Sequence, residues 1–225
     1  MRERRGDTAM KQILVIGLGR FGRHLCQKLG ELGHQIMAVD KDEERVEACM
    51  HVVTNALVGD ATRQDFLQSL GVDNYDLCIV CIGDSFQDSL ETTALLKDFG
   101  AKKVIARASR DVHARFLLRN GADEVVYPEK QVAEWTAMRY SSDFLTDYFS
   151  MGDGYAVMEV KAPGSWVGKT IAELDLRKRA GINILAAKSG GRIEMAIRPD
   201  TVITREERLL VLGRDAQITR LLEKG

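Results

Sequence analysis

The sequence predicts an α/β protein: a Rossmann-like, doubly wound parallel sheet followed by a small α+β C-terminal domain. Three observations predict this. Short apolar, β-branched runs alternate with helix-like segments from Lys11 to Pro128. A G-x-G-x-x-G run joins the first such strand to the first helix. After a polar, glycine-containing break at MGDGY the rhythm changes to strand-rich segments with few helices.

The elements follow in order. QILVI (12–16) is apolar and reads as a strand, Gly17–Gly22 as a glycine turn and Arg23–Leu32 as a helix. QIMAVD (35–40) is a second strand, and Asp42 caps a short helix through Ala48. NALVGD (55–60) is a third strand and Arg63–Leu70 a third helix. DLCIVCIG (76–83) is a fourth strand, and Ser85 caps a helix to Phe99. KKVIARA (102–108) is a fifth strand, Arg110–Asn120 a helix and DEVVYP (123–128) a sixth strand. Strands alternating with helices imply βαβ units, with ligands at the strands' carboxyl ends.

Beyond Pro128, Glu129–Phe149 reads as one long amphipathic helix, with Val132, Trp135, Met138 and Phe149 among its apolar positions. YAVMEVKA (155–162) alternates as a strand, and IAELDLRKRAG (171–181) is a short helix ending at a glycine. ILAAK (184–188), RIEMAI (192–197) and RLLVLG (208–213) add strands, and Asp215–Glu223 closes as a helix. The expected organisation is a nucleotide-binding domain over 11–130, a linking helix over 131–151 and a C-terminal domain over 152–225.

Composition narrows the function. Of 225 residues, 45% are hydrophobic and 29% charged, as in ordinary globular proteins. Lys plus Arg is 32 and Asp plus Glu 33, a formal net charge of -1. That balance argues against a nucleic-acid binder and against a polybasic membrane-surface protein. No apolar run approaches the roughly 20 residues of a membrane span, and MRERRGDTAMK lacks an apolar signal core. The expectation is a cytoplasmic chain without direct membrane insertion, linked to a membrane only through a partner. Cys78 and Cys81 form a C-x-x-C inside an apolar strand. An offset of three sends the two thiols to opposite faces, so they read as buried hydrophobes. The four histidines are scattered, without HxxxH or HExxH spacing, and no transition-metal site is expected.

GLGRFG supplies Gly17, Gly19 and Gly22 in the required context: after a strand, opening a helix, and with an acid ending the next strand. Gly17 makes the tight turn, Gly19 lets a pyrophosphate approach the backbone, and Gly22 lets the helix pack on the sheet. The helix N-terminus offers free N–H groups to phosphates. Asp40, 18 positions after Gly22, is placed to accept ribose hydroxyls, and its charge disfavours NADP. Arg20 is either a forked cation for an extra terminal phosphate or for a phosphate bound by a neighbouring subunit, or a solvated first-turn arginine. Asp60 in GDAT lies near a ribose or base, caps the next helix, or does both. Arg107 ends the fifth strand at the same rim, within reach of a phosphate or an interface carboxylate. Glu129 either starts the following helix or binds a cation beside phosphates. The region after the nucleotide fold offers no histidine and no cysteine. Without an acid–base constellation the chain reads as a binding or sensing module and not an enzyme. The enzyme-class alternative is a small NAD-dependent oxidoreductase. An NADH-responsive transcription regulator would need a helix-turn-helix or a basic patch, and neither is found.

IGLGRFG, VDKDEERV, GDAT, DLCIVCIGD and GADEVVYPEK, in this order, resemble the N-terminal domain of the KtrA/TrkA-type RCK (regulator of potassium conductance) family. GKTIAELDLRKRAGINILAAKSGG, RPDTVI and RLLVLG resemble its C-terminal domain. With a single copy of each, the chain is most similar to the Ktr-type members. The resemblance implies a regulatory subunit that forms a homo-oligomeric ring, commonly an octamer. Such a ring docks on the cytoplasmic side of a membrane potassium-translocating subunit of Ktr or Trk type. ATP or ADP, alternatively NAD or NADH, would occupy the crevice. Asp40 and Asp42 match the ribose-binding pattern, Arg20 the arginine that senses a third phosphate, and Glu129 the acid that helps bind a cation (Mg or Ca). Phe21, Lys41, Ala61, Thr62, Ile82 and Gly83, adjacent in these motifs, complete the candidate cofactor-binding set with Arg107. In some relatives the C-terminal domain binds cyclic di-AMP. Arg177 and Pro199 match residues of that pocket, with apolar positions near Ile182 and Ile184, but AAKSGG stands where some binders carry a histidine. The implied mechanism is a population shift between two ring states. The helix after Pro128 and its aromatics Trp135, Tyr140, Phe144, Tyr148 and Phe149 are candidate interface material.

Overall fold

The structure, a computed structural model, describes residues 9–222. Residues 1–8, within the segment read for a signal core, and Glu223, the expected end of the last helix, lie outside the described residues. Two units are present, residues 1–129 and 130–225. Among the described residues no helix is long and apolar enough to cross a membrane.

The first unit alternates strand and helix: β1 (Gln12–Ile16), α1 (Arg20–Glu31), β2 (Gln35–Asp40), α2 (Glu43–Cys49), β3 (Asn55–Val58), α3 (Gln64–Ser69), β4 (Leu77–Val80), α4 (Phe86–Asp98), β5 (Val104–Arg107), α5 (Asp111–Arg119) and β6 (Glu124–Val126). The six strands form one parallel sheet in the order β3-β2-β1-β4-β5-β6. Strand periodicity sorts its side chains into two cores. Leu14, Ile16, Val39, Cys78 and Val80 face one way, against Leu67, Leu96 and Leu117 of α3, α4 and α5. Ile13, Val15, Ala38, Ile79 and Cys81 face the other, against Cys26, Val46 and Cys49 of α1 and α2. The two thiols of the C-x-x-C thus lie on opposite faces, and all four cysteines are free and buried.

Local chemistry sets the helix starts. The Asp42 carboxylate accepts the Arg45 N–H at 3.3 Å and caps α2, and the Ser85 hydroxyl accepts the Asp88 N–H at 3.1 Å and caps α4. Asp60 does not cap α3. Arg63 occupies the cap, and Asp60 instead accepts the N–H and hydroxyl of Thr62 at 3.0 and 2.7 Å, a closed turn two residues earlier.

The second unit holds most of α6 (Pro128–Tyr140), then β7 (Leu145–Gly152), β8 (Tyr155–Lys161), α7 (Ile171–Leu174), α8 (Leu176–Ala180), β9 (Asn183–Ser189), β10 (Arg192–Glu194), β11 (Arg208–Arg214) and α9 (Asp215–Leu222). Its antiparallel sheet runs β10-β9-β11-β8-β7. Met158, Val160, Leu209, Val211, Trp166 and Ile218 are among its core residues.

Two expectations are corrected here. The long helix over Glu129–Phe149, and with it a linking helix over 131–151, stops at Tyr140, and 145–152 is the edge strand β7. Phe144 and Tyr148, four apart, share a face in a strand as well as in a helix. Pairing of the β7 backbone with β8 selects the strand. The helix over 171–181 is broken at Asp175, whose left-handed φ of 43° separates α7 from α8.

Candidate functional site

A cavity of about 530 Å³ opens at the carboxyl ends of the strands, where the sheet order reverses between β1 and β4. Its floor is the glycine loop. Gly17, at φ +96°, donates its N–H to the Val39 carbonyl at 2.8 Å. A Cβ on Gly17 would stand 2.9 Å from the Ile82 nitrogen, and one on Gly22 would stand 2.0 Å from the Gly17 oxygen. Loop, β4 and α1 therefore meet with no room for side chains. Gly19 differs: nothing lies within 4 Å of where its Cβ would be. Gly19 is the N-cap of α1, no side chain caps that end, and the first turn carries no acid. The open space sits against a helix N-terminus with donors to offer.

Cations and carboxylates both line the cavity. Arg20 and Arg23 stand on the first turns of α1 at helical spacing, and Arg107 lines the cavity from the end of β5. Its guanidinium lies 5.8 Å from the centre of the Phe21 ring. It also crosses Gly83, where a Cβ would stand 1.9 Å from Nη1. Asp40, Glu44, Asp60, Asp84 and Asp88 line the cavity too, interleaved with Lys41 and Arg45. Asp40 is only 5% exposed. Its Oδ2 accepts the Leu18 N–H at 2.6 Å and its Oδ1 the Asp42 N–H at 3.0 Å. A carboxylate has about four lone-pair sites, so capacity remains for a ribose hydroxyl. Arg45 Nη1 stands 3.7 Å from Asp40 and its Nε 3.4 Å from Asp42. Two ion pairs cross from the β2 end to the segment after β4: Lys41 to Asp88 at 3.2 Å and Arg45 to Asp84 at 4.0 Å. The Ser85 hydroxyl and the Lys41 ammonium hold the Asp88 carboxyl below the usual range, against its partial burial.

Of the residues singled out in the sequence, Gly17, Gly19, Arg20, Asp40 and Lys41 line this one cavity. So do Asp60, Ala61, Thr62, Ile82, Gly83 and Arg107. Gly22 and Phe21 support it from beneath, and Asp42 acts as cap and as partner of Arg45. Glu129, in the first turn of α6, pairs with the Arg107 guanidinium. Partial burial opposes ionisation of Glu129. Its own backbone N–H, Arg107 and the Arg20 charge prevail and hold its carboxyl below the usual range. Among the described residues no group of three or more His, Cys, Asp or Glu side chains is placed to hold a metal ion.

Sequence reasoning missed Arg23, Glu44, Arg45, Asp84 and Asp88. Arg23 had a signal, the three-residue spacing from Arg20, and Glu44, Arg45 and Asp84 stand inside the runs VDKDEERV and DLCIVCIGD; Asp88 had none. In the second unit Arg177 is exposed on α8 and Pro199 is exposed, its carbonyl accepting the Ala172 N–H at 2.9 Å. Ile184 is half-buried, whereas Ile182 is 1% exposed and belongs to the core. Burial disfavours the reactive thiolate form: it pushes Cys26 and Cys78 up to about 12, and Cys81 up as well.

Two family models match the chain, the TrkA-N domain over residues 13–128 and the TrkA-C domain over residues 156–224. "Ktr system potassium uptake protein C" of Bacillus subtilis is 36% identical over 93% of this chain and 95% of its own length. "Ktr system potassium uptake protein A" of the same organism is 35% identical over 98% of this chain and 99% of its own. Among solved structures, "GsuK channel bound to NAD" superposes with a TM-score of 0.66 and 21% identity, covering 96% of this chain and 39% of that one. That likeness speaks to the fold.

Proposed function

The chain belongs to the family defined by the TrkA-N and TrkA-C domains, and from that premise we propose that it is a nucleotide-sensing regulatory subunit of a membrane potassium-uptake system. The observation that carries the reading is the cavity over the glycine loop. Gly19 leaves open space against the uncapped N-terminus of α1, whose first turn bears Arg20, and the Asp40 carboxylate stands at the end of β2 with accepting capacity to spare. An adenine nucleotide offers phosphates to the first and ribose hydroxyls to the second.

Occupancy and not turnover is the signal. ATP against ADP is the favoured pair, with NAD and NADH the alternative; a like-folded channel bound to NAD supports nucleotide occupancy. Within one chain Glu129 offers a cation a single carboxylate. Mg or Ca there would draw its remaining ligands from phosphates and from a second subunit. The subunit works from the cytoplasmic side, in an oligomeric ring (octameric in the fullest form of the proposal) docked on a membrane potassium-translocating partner. Arg177, Ile184 and Pro199 are the positions in the second unit that a cyclic dinucleotide would use.

Calorimetry of the full chain with ATP, ADP, NADH and cyclic di-AMP, wild type against Arg20→Ala, tests this. The substitution is expected to weaken ATP about tenfold more than ADP, the equivalent of one charge-assisted bond. Equal losses remove Arg20 as the discriminator. Binding of none of these compounds, or steady consumption of NADH with a small substrate, overturns the reading.

A further inference from the structure

We propose that Arg107 is a partner-exchange residue: a phosphate group entering the cavity takes the guanidinium from Glu129 and thereby releases the first turn of α6. The proposal rests on the nucleotide reading above and names how occupancy leaves the cavity.

Arg107 is poised between two acceptors. It ends β5 and lines the cavity, yet its Nη2 donates to Glu129, which does not line it. Its Nε is buried and has no acceptor. A planar guanidinium has five donors suited to a forked partner. A single carboxylate oxygen leaves this one under-satisfied, and a phosphate offers several oxygens and more charge to the same fork.

The two partners differ in what release would cost. The Arg107 side chain is 19% exposed, folded over Gly83 and against Phe21, so water replaces a lost acceptor there less fully than at Glu129. The Glu129 side chain is 58% exposed and is rehydrated where it stands. Exchange therefore keeps Arg107 in place and frees Glu129. None of the residues of α6 is buried, so an ion pair at its first turn matters more than it would on a packed helix. α6 is the segment through which the chain passes from the first unit to the second. Coupling of this kind is reciprocal: whatever holds Glu129 against Arg107 must weaken phosphate binding by the same factor.

The test is ADP affinity by calorimetry in EDTA, with hydrogen exchange of the α6 amides, on the full chain. Glu129→Gln removes the competitor and is expected to tighten ADP by about threefold to tenfold. Arg107→Ala is expected to weaken ADP about tenfold or more, with Arg107→Lys failing to restore it. ADP is expected to speed exchange in α6 of the wild type and to add nothing in Glu129→Gln. A purely structural ion pair predicts that both substitutions weaken or leave ADP binding alike, and that result overturns the exchange. Unchanged α6 exchange on ADP binding also overturns it. If the wild type binds no adenine nucleotide, the reading beneath it fails first. Binding without the opposite responses of Glu129→Gln and Arg107→Ala fails the exchange alone.

Discussion

At Gly22 an added methyl group would press on the Gly17 carbonyl at 2.0 Å, and both partners are backbone. Neither can yield as a side-chain tip would. Gly22→Ala is expected to lower stability by ~1–3 kcal/mol, as overpacking does, and to abolish tight nucleotide binding by lifting α1 off the loop. Gly19→Ala meets nothing within the chain, so it lowers the melting temperature less than Gly22→Ala, by the loss of a glycine N-cap alone, while losing nucleotide affinity. Thermal melts with calorimetry separate the two. The same residues mark what was legible in the sequence. Gly17, Gly19, Gly22 and Asp40 are read from spacing because one turn and one neighbouring strand fix their geometry. Arg45 with Asp84, and Lys41 with Asp88, meet across the cavity only because the segments after β2 and β4 flank β1. No local pattern announces that meeting. Arg107 across Gly83 likewise depends on β4 and β5 being neighbours.

Among the elements, α4 starts where one hydroxyl decides. Ser85→Ala is expected to cost ~1 kcal/mol in denaturant melts. It should also loosen the Lys41–Asp88 contact, because the Ser85 hydroxyl is the first influence holding the Asp88 carboxyl down. Unchanged stability would show that the Asp88 N–H is equally well served by water. Of the caps read from the sequence, Asp42 and Ser85 act as such, since capping needs only a side-chain oxygen three residues before its donor, and Asp60 does not. Strand pairing at the C-terminal edge was not legible in that way. Val132, Trp135 and Met138 carry helical spacing, but Phe144 and Tyr148 fit either period. The decision fell to β8, whose outer edge needed hydrogen-bond partners. At Asp175 the break reflects one left-handed residue inside a window otherwise fit for a helix.

For the molecule as a whole, pH is the simplest lever on stability. His113 is 1% exposed, with its Nε2 buried without an acceptor. Burial first, then Arg110 and Arg107, hold its pKa below the ordinary 6.5. Below pH 6.5 the unfolded chain takes up this proton first, so stability falls with acidification by at most about 1.4 kcal/mol per pH unit. His113→Gln should flatten that slope in urea melts; an unchanged slope would assign it to other groups. A second loss belongs at lower pH. Asp123 is held below 3.8 by the Val104 N–H and Lys97, against its partial burial. Its contribution is present above that value and disappears as pH falls through the lower folded value.

The placement of the cysteines has a practical consequence. All four lie in the first unit, on both faces of its sheet, and the second unit has none. A thiol-reactive dye offered to the native chain therefore finds no accessible sulfhydryl until the nucleotide fold opens, and it stays blind to events confined to the C-terminal half. Without any engineered label, the polypeptide carries a stopwatch for the breathing of one of its two halves.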